Sequence, residues 1–517
     1  MEAADFLKYP DMRALVQHAG DCFPDTRFFM CSDERMPHIT GADLSCYCRK
    51  ANTVLDRFSS QHIAILGPAS AAWITAFFSV ISAGRVIVPL HDSIHVPELE
   101  ECILQADCGI LLYDIGYASA AAAIRQEING LQIIELHDFL SDVRGSEDTA
   151  LPELKPDAVA AMYYTSGTTG KPRCVMLTHR NLGSQISAVT EVLPLSEKDV
   201  GLSILPLNHT FEMMTCISMA LHCGGTLYIN ESIRTVKKNL HDKHPTVLVA
   251  VPLILQTLHK EILNTARRQG VLKKLLRAMA VNEKIQYFDL DLSSKLFKDV
   301  LDPLGGALRT VICGGASLDP GIIRFFKILG IEILQGYGIT ECSPVVSVNR
   351  PGKAVSGSVG QCLPCCEVGI IDREICVRGD SVSPGYYKDP AATDENFREG
   401  WFHTGDLGRL DDQGNLYFEG RIKNLIILPN GENVSLEELE EKLYQAEGIL
   451  DAIVYERDGK ITAELYADRE IIPDVSSAWQ IVSKINHTST SFKQITDIVL
   501  RDTDFEKTVT NKIKRYP

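Results

Sequence analysis

The stretch T-S-G-T-T-G-K-P-R at residues 165–173 concentrates groups that hold oxyanions. Thr165, Ser166, Thr168 and Thr169 offer four hydroxyls, Gly167 and Gly170 permit positive φ, and Lys171 brings a positive charge. A turn built this way can wrap the oxygens of a polyphosphate. A Walker-type loop would need a helix directly after Gly-Lys-Ser/Thr, its dipole facing the phosphates. Here Pro172 follows Lys171 and residues 175–177 read as strand, so the expectation is a phosphate loop closing a hairpin. A surface turn rich in Ser, Thr and Gly fits the same composition. What decides between the two lies downstream.

Further along stand L-P-L-N-H-T-F-E at 205–212, G-G-A-S at 314–317, G-Y-G-I-T-E at 336–341, T-G-D at 404–406, G-R-I-K at 420–423 and K-T-V-T-N-K-I-K-R at 507–515. Each also has a plain structural reading. His209 precedes an expected helix and could simply cap it; Asp406 could cap a turn, Tyr337 could be core, and Lys512 could be solvated tail. Cys362, Cys365 and Cys366 form C-x-x-C-C, but no second Cys or His pair stands at ligand spacing, so packing is favoured over metal or redox chemistry. The same holds for Cys342 beside Glu341.

The elements that must position these residues follow from periodicity. Between residues 51 and 136 short apolar strands (62–66, 85–90, 109–113, 131–136) alternate with helices (51–58, 70–83, 97–105, 119–128), which indicates a parallel sheet covered on both faces. The alternation resumes with strands 201–205, 226–229, 246–251 and 309–313 and helices 211–222, 252–266 and 320–329. Ligands of such open sheets sit beyond the carboxyl ends of the strands. The loops there are the ones that carry His209, Gly315, Ala316, Tyr337, Thr340 and Glu341. Met213, Met214, Cys216 and Met219 could line an apolar pocket or fill core.

From residue 358 to 420 short strands and turns read as a small β region. A boundary follows at Gly420/Arg421. Beyond it a hairpin, a capping box at Ser435 and Glu438, and an apolar face of Leu436, Leu439 and Leu443 open a last domain. The expected fold is α/β, with two doubly wound α/β subdomains plus the β region in a large N-terminal domain (1–420) and a small mobile α+β C-terminal domain (421–517).

At 517 residues one core is not enough. The 51 Lys plus Arg against 67 Asp plus Glu give a net charge of −16, which argues against nucleic acid or an anionic membrane as the main partner. Any polyanion must therefore be met by a local patch. The first 30 residues hold no continuous apolar stretch, so no signal peptide is expected, and the apolar helix near 71–83 is shorter than the ~18 residues of a membrane span. Fifteen cysteines without the density of secreted scaffolds fit reduced thiols, and the expected location is cytoplasmic.

Any one of these stretches is weak alone, but in this order across some 350 residues they make the chain resemble the AMP-forming acyl-adenylate superfamily of acyl-CoA synthetases, adenylation domains and beetle luciferases. The 205–212 stretch and R-G-D-S-V-S-P-G-Y-Y-K-D-P at 378–390 most resemble its fatty acyl-CoA synthetase branch. The resemblance implies an AMP-forming acid–thiol ligase of the long-chain fatty-acid type. A carboxylate attacks the α-phosphate of ATP with release of pyrophosphate, and the thiol of coenzyme A then displaces AMP. Carried over position by position, it implies that Thr165, Ser166, Gly167, Thr168, Thr169, Gly170 and Lys171 hold the β- and γ-phosphates. Thr340 would contact the α-phosphate, Glu341 would hold Mg²⁺, and Tyr337 would stack on adenine beside Gly315 and Ala316. Asp406 would accept the ribose hydroxyls, Arg421 would reach ribose or phosphate, and His209 would lie where acyl pocket meets phosphate. Lys512 would bridge carboxylate and α-phosphate, with Lys423 as hinge.

The chain departs from the family pattern at Arg173-Cys174, where Lys-Gly is usual, and at Arg373 and Asn511, where Gly is usual. The alternative acceptor is the phosphopantetheine of a separate acyl carrier protein. From another class, the alternative is a non-catalytic ATP-binding regulator, which has no reason to keep Glu341, Asp406 and Lys512 together.

Overall fold

Strand His62–Leu66 sends Ile63 and Ile65 into one apolar core and Ala64 and Leu66 into another. A strand apolar on both faces is stable only when both are covered. In the computed structural model, which describes residues 8–165, 172–288, 290, 292–427, 433–457, 460–487, 493–506 and 513, that covering is achieved with helices. Helix Ala71–Ser82 packs in the first core, and helices Val96–Gln105 and Ala118–Glu127 in the second. The first of these starts where the Ser70 hydroxyl accepts from the Trp73 amide and stops at Gly84, whose φ of +76° leaves the helical region.

The sheet runs in the order Gly385–Tyr386, Arg173–Thr178, Val159–Thr165, Val86–Pro89, His62–Leu66, Cys108–Tyr113, Gln132–Glu135. Its last five strands are parallel, and the first two join antiparallel. A second seven-stranded sheet has the order Thr226–Ile229, Val200–Ser203, Val247–Ala250, Thr310–Cys313, Glu332–Gly338, Val345–Val348, Gln361–Cys362, parallel except for the last two strands. Leu227, Val249, Ile312 and Leu334 on one of its faces join the first core. Leu202, Leu248, Val311 and Ile333 on the other pack under helices Pro252–Arg268, Leu272–Gln286 and Pro320–Ile328. The fold is α/β with two sheets wound by helices, as the alternation predicts.

Two local expectations are corrected. The helix expected at 51–58 runs instead over Gly41–Leu55. Thr40 caps it through the Asp43 amide, and a Cβ at Gly41 would lie 2.4 Å from the Phe23 carbonyl oxygen, so its start is fixed by a close approach that periodicity does not register. The helix expected at 211–222 begins at Thr210 and is interrupted by a π-helical segment, Met213–Ile217, before it resumes as Ser218–Cys223. Met213, Met214, Cys216 and Met219 are buried in the first core.

By contacts the chain falls into two compact units, one of 1–369, 377–402 and 411–416 and one of 370–376, 403–410 and 417–517. In the smaller unit strands Ile449–Arg457 and Lys460–Ala467 pair antiparallel, and Asp497–Arg501 adds in parallel. Leu436, Leu439 and Leu443 of helix Leu436–Tyr444 pack on this sheet with Ala478 and Val482 of helix Val475–His487, as their spacing predicts. The capping box expected at Ser435 and Glu438 involves side chains outside the described residues. Strands Leu425–Ile427 and Asn433–Ser435 form the expected hairpin. No helix among the described residues is long and apolar enough to cross a membrane.

Candidate active site

Strands Val159–Thr165 and Arg173–Thr178 pair antiparallel with Thr165 opposite Arg173, so the glycine-rich stretch joins a hairpin and no helix follows it directly. Ser166, Gly167, Thr168, Thr169, Gly170 and Lys171 lie outside the described residues, as does Lys512. At the hairpin's mouth the Thr165 hydroxyl reaches the Arg173 carbonyl oxygen at 3.5 Å.

Arg173 leads from the hairpin to Glu341. Its guanidinium lies over the Tyr386 ring, 5.1 Å from the centroid, and the Tyr386 hydroxyl donates to Glu341 Oε1 at 2.8 Å. Tyr386 is held there by backbone, since Gly385 and Tyr386 pair with Met176 and Val175 of the hairpin strand. The Ser383 amide donates to the Glu341 carbonyl oxygen at 2.8 Å while the Ser383 hydroxyl donates to that of Met176 at 2.7 Å. Burial pushes the Tyr386 phenol up from its ordinary value, and the Glu341 carboxylate pushes the same way. The phenol therefore stays protonated as a donor, and the buried Glu341 keeps an oriented carboxylate.

Glu341 reaches this place through a tight turn. Strand Glu332–Gly338 pairs antiparallel with Val345–Val348, with an irregularity at Tyr337/Gly338, and Thr340–Cys342 forms a 3₁₀ turn between them. A Cβ at Gly338 would meet the Pro344 carbonyl oxygen at 2.4 Å, and one at Gly336 the Ser347 oxygen at 2.9 Å. The glycines of G-Y-G thus answer a close backbone approach. Tyr337 between them is buried, Thr340 is half-buried, and Cys342 is wholly buried, in keeping with a packing role.

Cys313 and Gln335 are register partners on adjacent parallel strands, so Gly315 and Ala316, two and three residues beyond one, and Tyr337, two beyond the other, share the sheet's carboxyl edge. Gly315, at φ +90°, and Ala316 are exposed. A Cβ at Gly314 would press on the Phe211 ring at 3.0 Å, which ties this loop to the one carrying His209. His209 occupies the N-cap position of the Thr210 helix but makes no side-chain cap. Its ring lies 6.3 Å from that of His91, which follows strand Val86–Pro89 of the first sheet. The carboxyl edges of both sheets meet there. Burial pulls the His91 imidazole below its ordinary value, against the opposing pull of Asp92 and Glu98. One turn past His209, Glu212 is fully buried and accepts from the Ser203 hydroxyl at 2.5 Å, and burial pushes its carboxyl up to about 8.

The other predicted residues belong to the smaller unit. Asp406 is buried and its Oδ1 meets Arg421 Nε at 3.2 Å, while the Arg421 side chain is half-exposed. The Asp406 amide donates to the Thr404 hydroxyl at 3.0 Å, which donates to the Ile375 carbonyl oxygen at 2.7 Å. Gly405, at φ +72°, donates its amide to Glu374 Oε1 at 2.8 Å, and Glu374 Oε2 meets His403 Nδ1 at 2.8 Å. The Cys376 sulfur lies 3.4 Å from the same His403 nitrogen. Ligand atoms of Glu374, Cys376 and His403 all fall within 4.8 Å, a closeness that the hydrogen bonds holding the Asp406 loop account for. Arg373, where the resemblance expects Gly, takes φ +68°, so the chain keeps the left-handed turn at a cost of about 1 kcal/mol. Lys423 is exposed in the turn Ile422–Asn424.

The sequence pointed to Glu341 and Asp406 but missed the side chains that hold them. Tyr386 lies within the 378–390 stretch while Glu374 and His403 lie outside the motifs, and their partners are far away in the chain, where residue type alone does not name a partner. Cys362 and Cys366 bring their sulfurs to 3.5 Å, with the Cys362 thiol lowered by that contact and by Arg350.

Comparison with known proteins supports the same direction. A family model described as AMP-binding enzyme matches residues 16–387. The chain is 31% identical over 376 residues to the protein named Long chain acyl-CoA synthetase 6, peroxisomal, of Arabidopsis thaliana, covering 68% of this chain and 53% of that one. It thus spans about half that relative's length. It is 27% identical over 477 residues to Long-chain-fatty-acid--CoA ligase 5 of Rattus norvegicus, covering 82% of this chain and 68% of that one. Among solved structures, the anthranilate CoA ligase AuaEII in complex with anthranoyl-AMP superposes with a TM-score of 0.81 at 20% identity, covering 99% of this chain and 97% of that one, a likeness of fold. With residues 16–387 matched, most of its length, the chain belongs to the AMP-binding enzyme family.

Proposed function

We propose that this chain activates a carboxylic acid, a long-chain fatty acid foremost, with ATP and passes the acyl group to coenzyme A. In the first step a carboxylate oxygen bonds to the α-phosphorus and the bond to the β-phosphate bridging oxygen breaks, giving acyl-AMP and pyrophosphate. In the second the thiol sulfur bonds to the acyl carbon, AMP leaves with the electron pair, and the thiol proton is released. The observation that carries this reading is the buried Glu341 carboxylate, oriented by Tyr386 beside Arg173 at the mouth of the glycine-rich hairpin. The names of the relatives point the same way.

Such transfer depends on positioning and charge neutralisation more than on covalent help. Thr165 and residues 166–171 are assigned to the β- and γ-phosphates, Thr340 to the α-phosphate, and Tyr337 with Gly315 and Ala316 to adenine. Asp406 and Arg421 are assigned to ribose, His209 to the junction with the acyl chain, and Lys512 to the shared charge of carboxylate and α-phosphate. Glu341 is the residue to hold Mg²⁺, since a carboxylate fixed by a neighbouring phenol suits a hard, oxygen-seeking cation, and the ion would supply neutralisation of phosphate charge. We also assign residues 421–517 to a mobile domain hinged at Lys423. The fifteen cysteines are all free thiols, on which we place the protein in the cytoplasm.

The test is pyrophosphate exchange across a panel of carboxylic acids, followed by acceptor thiols. Acid-dependent exchange with AMP as product and thioester formation on coenzyme A are expected. ADP as product would overturn the reading, exchange without transfer to coenzyme A but with transfer to a carrier protein would move the acceptor, and ATP binding without exchange would make the chain a regulator.

A further inference from the structure

Helix Leu272–Gln286 buries Leu275, Met279 and Asn282 on the side facing Leu202, Leu248, Val311 and Ile333 of the second sheet. Its opposite face interleaves apolar side chains with cations, where water normally demands polar residues throughout. Leu276 is 50% exposed and Val281 54%, and just past the helix end Tyr287 is 86% and Phe288 73% exposed, their rings 5.6 Å apart. Leu290, at 63%, continues the apolar run. At helical spacing Leu276, Ala280, Val281, Tyr287 and Phe288 fall on the same side as the exposed Lys273, Lys274, Arg277 and Lys284.

The charge on this face is one-sided. The helix's one acid, Glu283, is tied to Arg324 Nε at 2.5 Å, and Asp289 and Asp291 beyond it lie outside the described residues. From Arg267 to Lys298 the sequence holds eight Lys and Arg against three Asp and Glu, net +5 within a chain of net −16. Apolar side chains interleaved with cations and set in an acidic protein fit a surface that is apolar beneath and anionic at its rim.

We propose that this face docks the protein on an anionic phospholipid bilayer, with Tyr287 and Phe288 entering the headgroup region and Lys273, Lys274, Arg277 and Lys284 meeting lipid phosphates. The Tyr287 ring, with one polar end, favours that depth, and the Phe288 ring adds apolar area beside it. Docking at the surface is compatible with a chain whose total charge is repelled by such lipids, because screening confines the repulsion of distant charges to about one Debye length, near 8–10 Å. The inference does not rest on the acyl-adenylate reading, since none of these residues is assigned to that site.

The experiment is sedimentation of the full chain with vesicles of phosphatidylcholine alone or mixed with phosphatidylglycerol, in low and high salt. Sedimentation with the mixed vesicles in low salt is expected, and little with phosphatidylcholine alone. Lys273→Ala/Lys274→Ala/Arg277→Ala should weaken partitioning by about 10²-fold, at roughly fivefold per cation, and high salt should act in the same direction. Tyr287→Ser/Phe288→Ser should weaken it in either salt while leaving the unfolding temperature unchanged, because both rings are exposed. A wild-type chain that stays in the supernatant with both vesicle types overturns the proposal, and so do variants that sediment as the wild type does. Self-association abolished by Phe288→Ser without vesicle binding would overturn it in favour of a second copy. Acyl-AMP formation from a short, water-soluble acid should be equal in all variants, so the two readings fail separately.

Discussion

At the Tyr386–Glu341 pair, burial first and the Glu341 carboxylate second hold the phenol protonated, and the phenol gives the buried Glu341 a donor at 2.8 Å. Tyr386→Phe removes that donor at a cost of about 1–3 kcal/mol. Pyrophosphate exchange should fall by about 10- to 100-fold if this cost is expressed at the site. A lower unfolding temperature with unchanged exchange would instead assign the pair to packing. Burial raises the Glu212 carboxyl from 4.5 to about 8. The folded protein keeps a proton there that the unfolded chain loses near the ordinary carboxyl range. Its contribution is therefore complete below about pH 4.5 and is lost as pH climbs through about 8, with a slope of up to about 1.4 kcal/mol per pH unit. Glu212→Gln should flatten the fall of unfolding temperature between about pH 5 and pH 9, and parallel curves for the two proteins would show that Glu212 ionises freely.

At the scale of elements, the pairing of Glu332–Gly338 with Val345–Val348 depends on glycine where a backbone carbonyl comes close. Gly338→Ala would set a methyl 2.4 Å from the Pro344 oxygen, whose carbon also accepts no shift without disturbing the Ile339 amide bonded to that oxygen at 2.8 Å. Overpacking of this kind costs about 1–3 kcal/mol or more. Because Thr340 and Glu341 follow directly, exchange activity should fall together with unfolding temperature. Gly145→Ala makes the contrast, since no atom lies within 4 Å of its Cβ position at the end of helix Leu136–Gly145. That variant should match or exceed the parent in stability, as Ala is the better helix former by about 1 kcal/mol. Equal losses at both positions would refute the close-approach account.

At the scale of the molecule, the predicted residues are shared between two units: Thr165, His209, Tyr337 and Glu341 in the larger, Asp406, Arg421 and Lys423 in the smaller. Under the proposed two-step reaction this division has a kinetic signature. Lys512→Ala should lose about 10²- to 10³-fold in acyl-AMP formation, the usual cost of removing one donor to developing charge, yet still convert supplied acyl-AMP to thioester. Lys423→Pro, which fixes φ at the proposed hinge, should spare adenylation and depress transfer. Half-reactions that fall together in both variants would refute a domain that serves the two steps in turn.

Local signals were enough for the strands and their order of appearance, because short, continuous apolar runs such as His62–Leu66 and Val247–Ala250 are properties of residues next to one another in the chain. They were enough, too, for the glycine-rich hairpin, where Pro172 and the β-branched and apolar residues after it exclude a helix. The motifs, read together, named Glu341 and Asp406. Periodicity failed where tertiary contact overrode it: at Gly41, whose helix start depends on the Phe23 carbonyl, and at Met213–Ile217, where the helix widens while the core closes around it. It could not find the partners. Tyr386 meets Glu341, and Glu374 meets His403 and Gly405, only because sheet register brings distant strands side by side, and the exposed rings of Tyr287 and Phe288 became visible only once the core had taken Leu275 and Met279 and left them outside. Residue types and short spacings are properties of the chain, whereas pairing, burial and the pKa shifts that follow from them are properties of the packed interior.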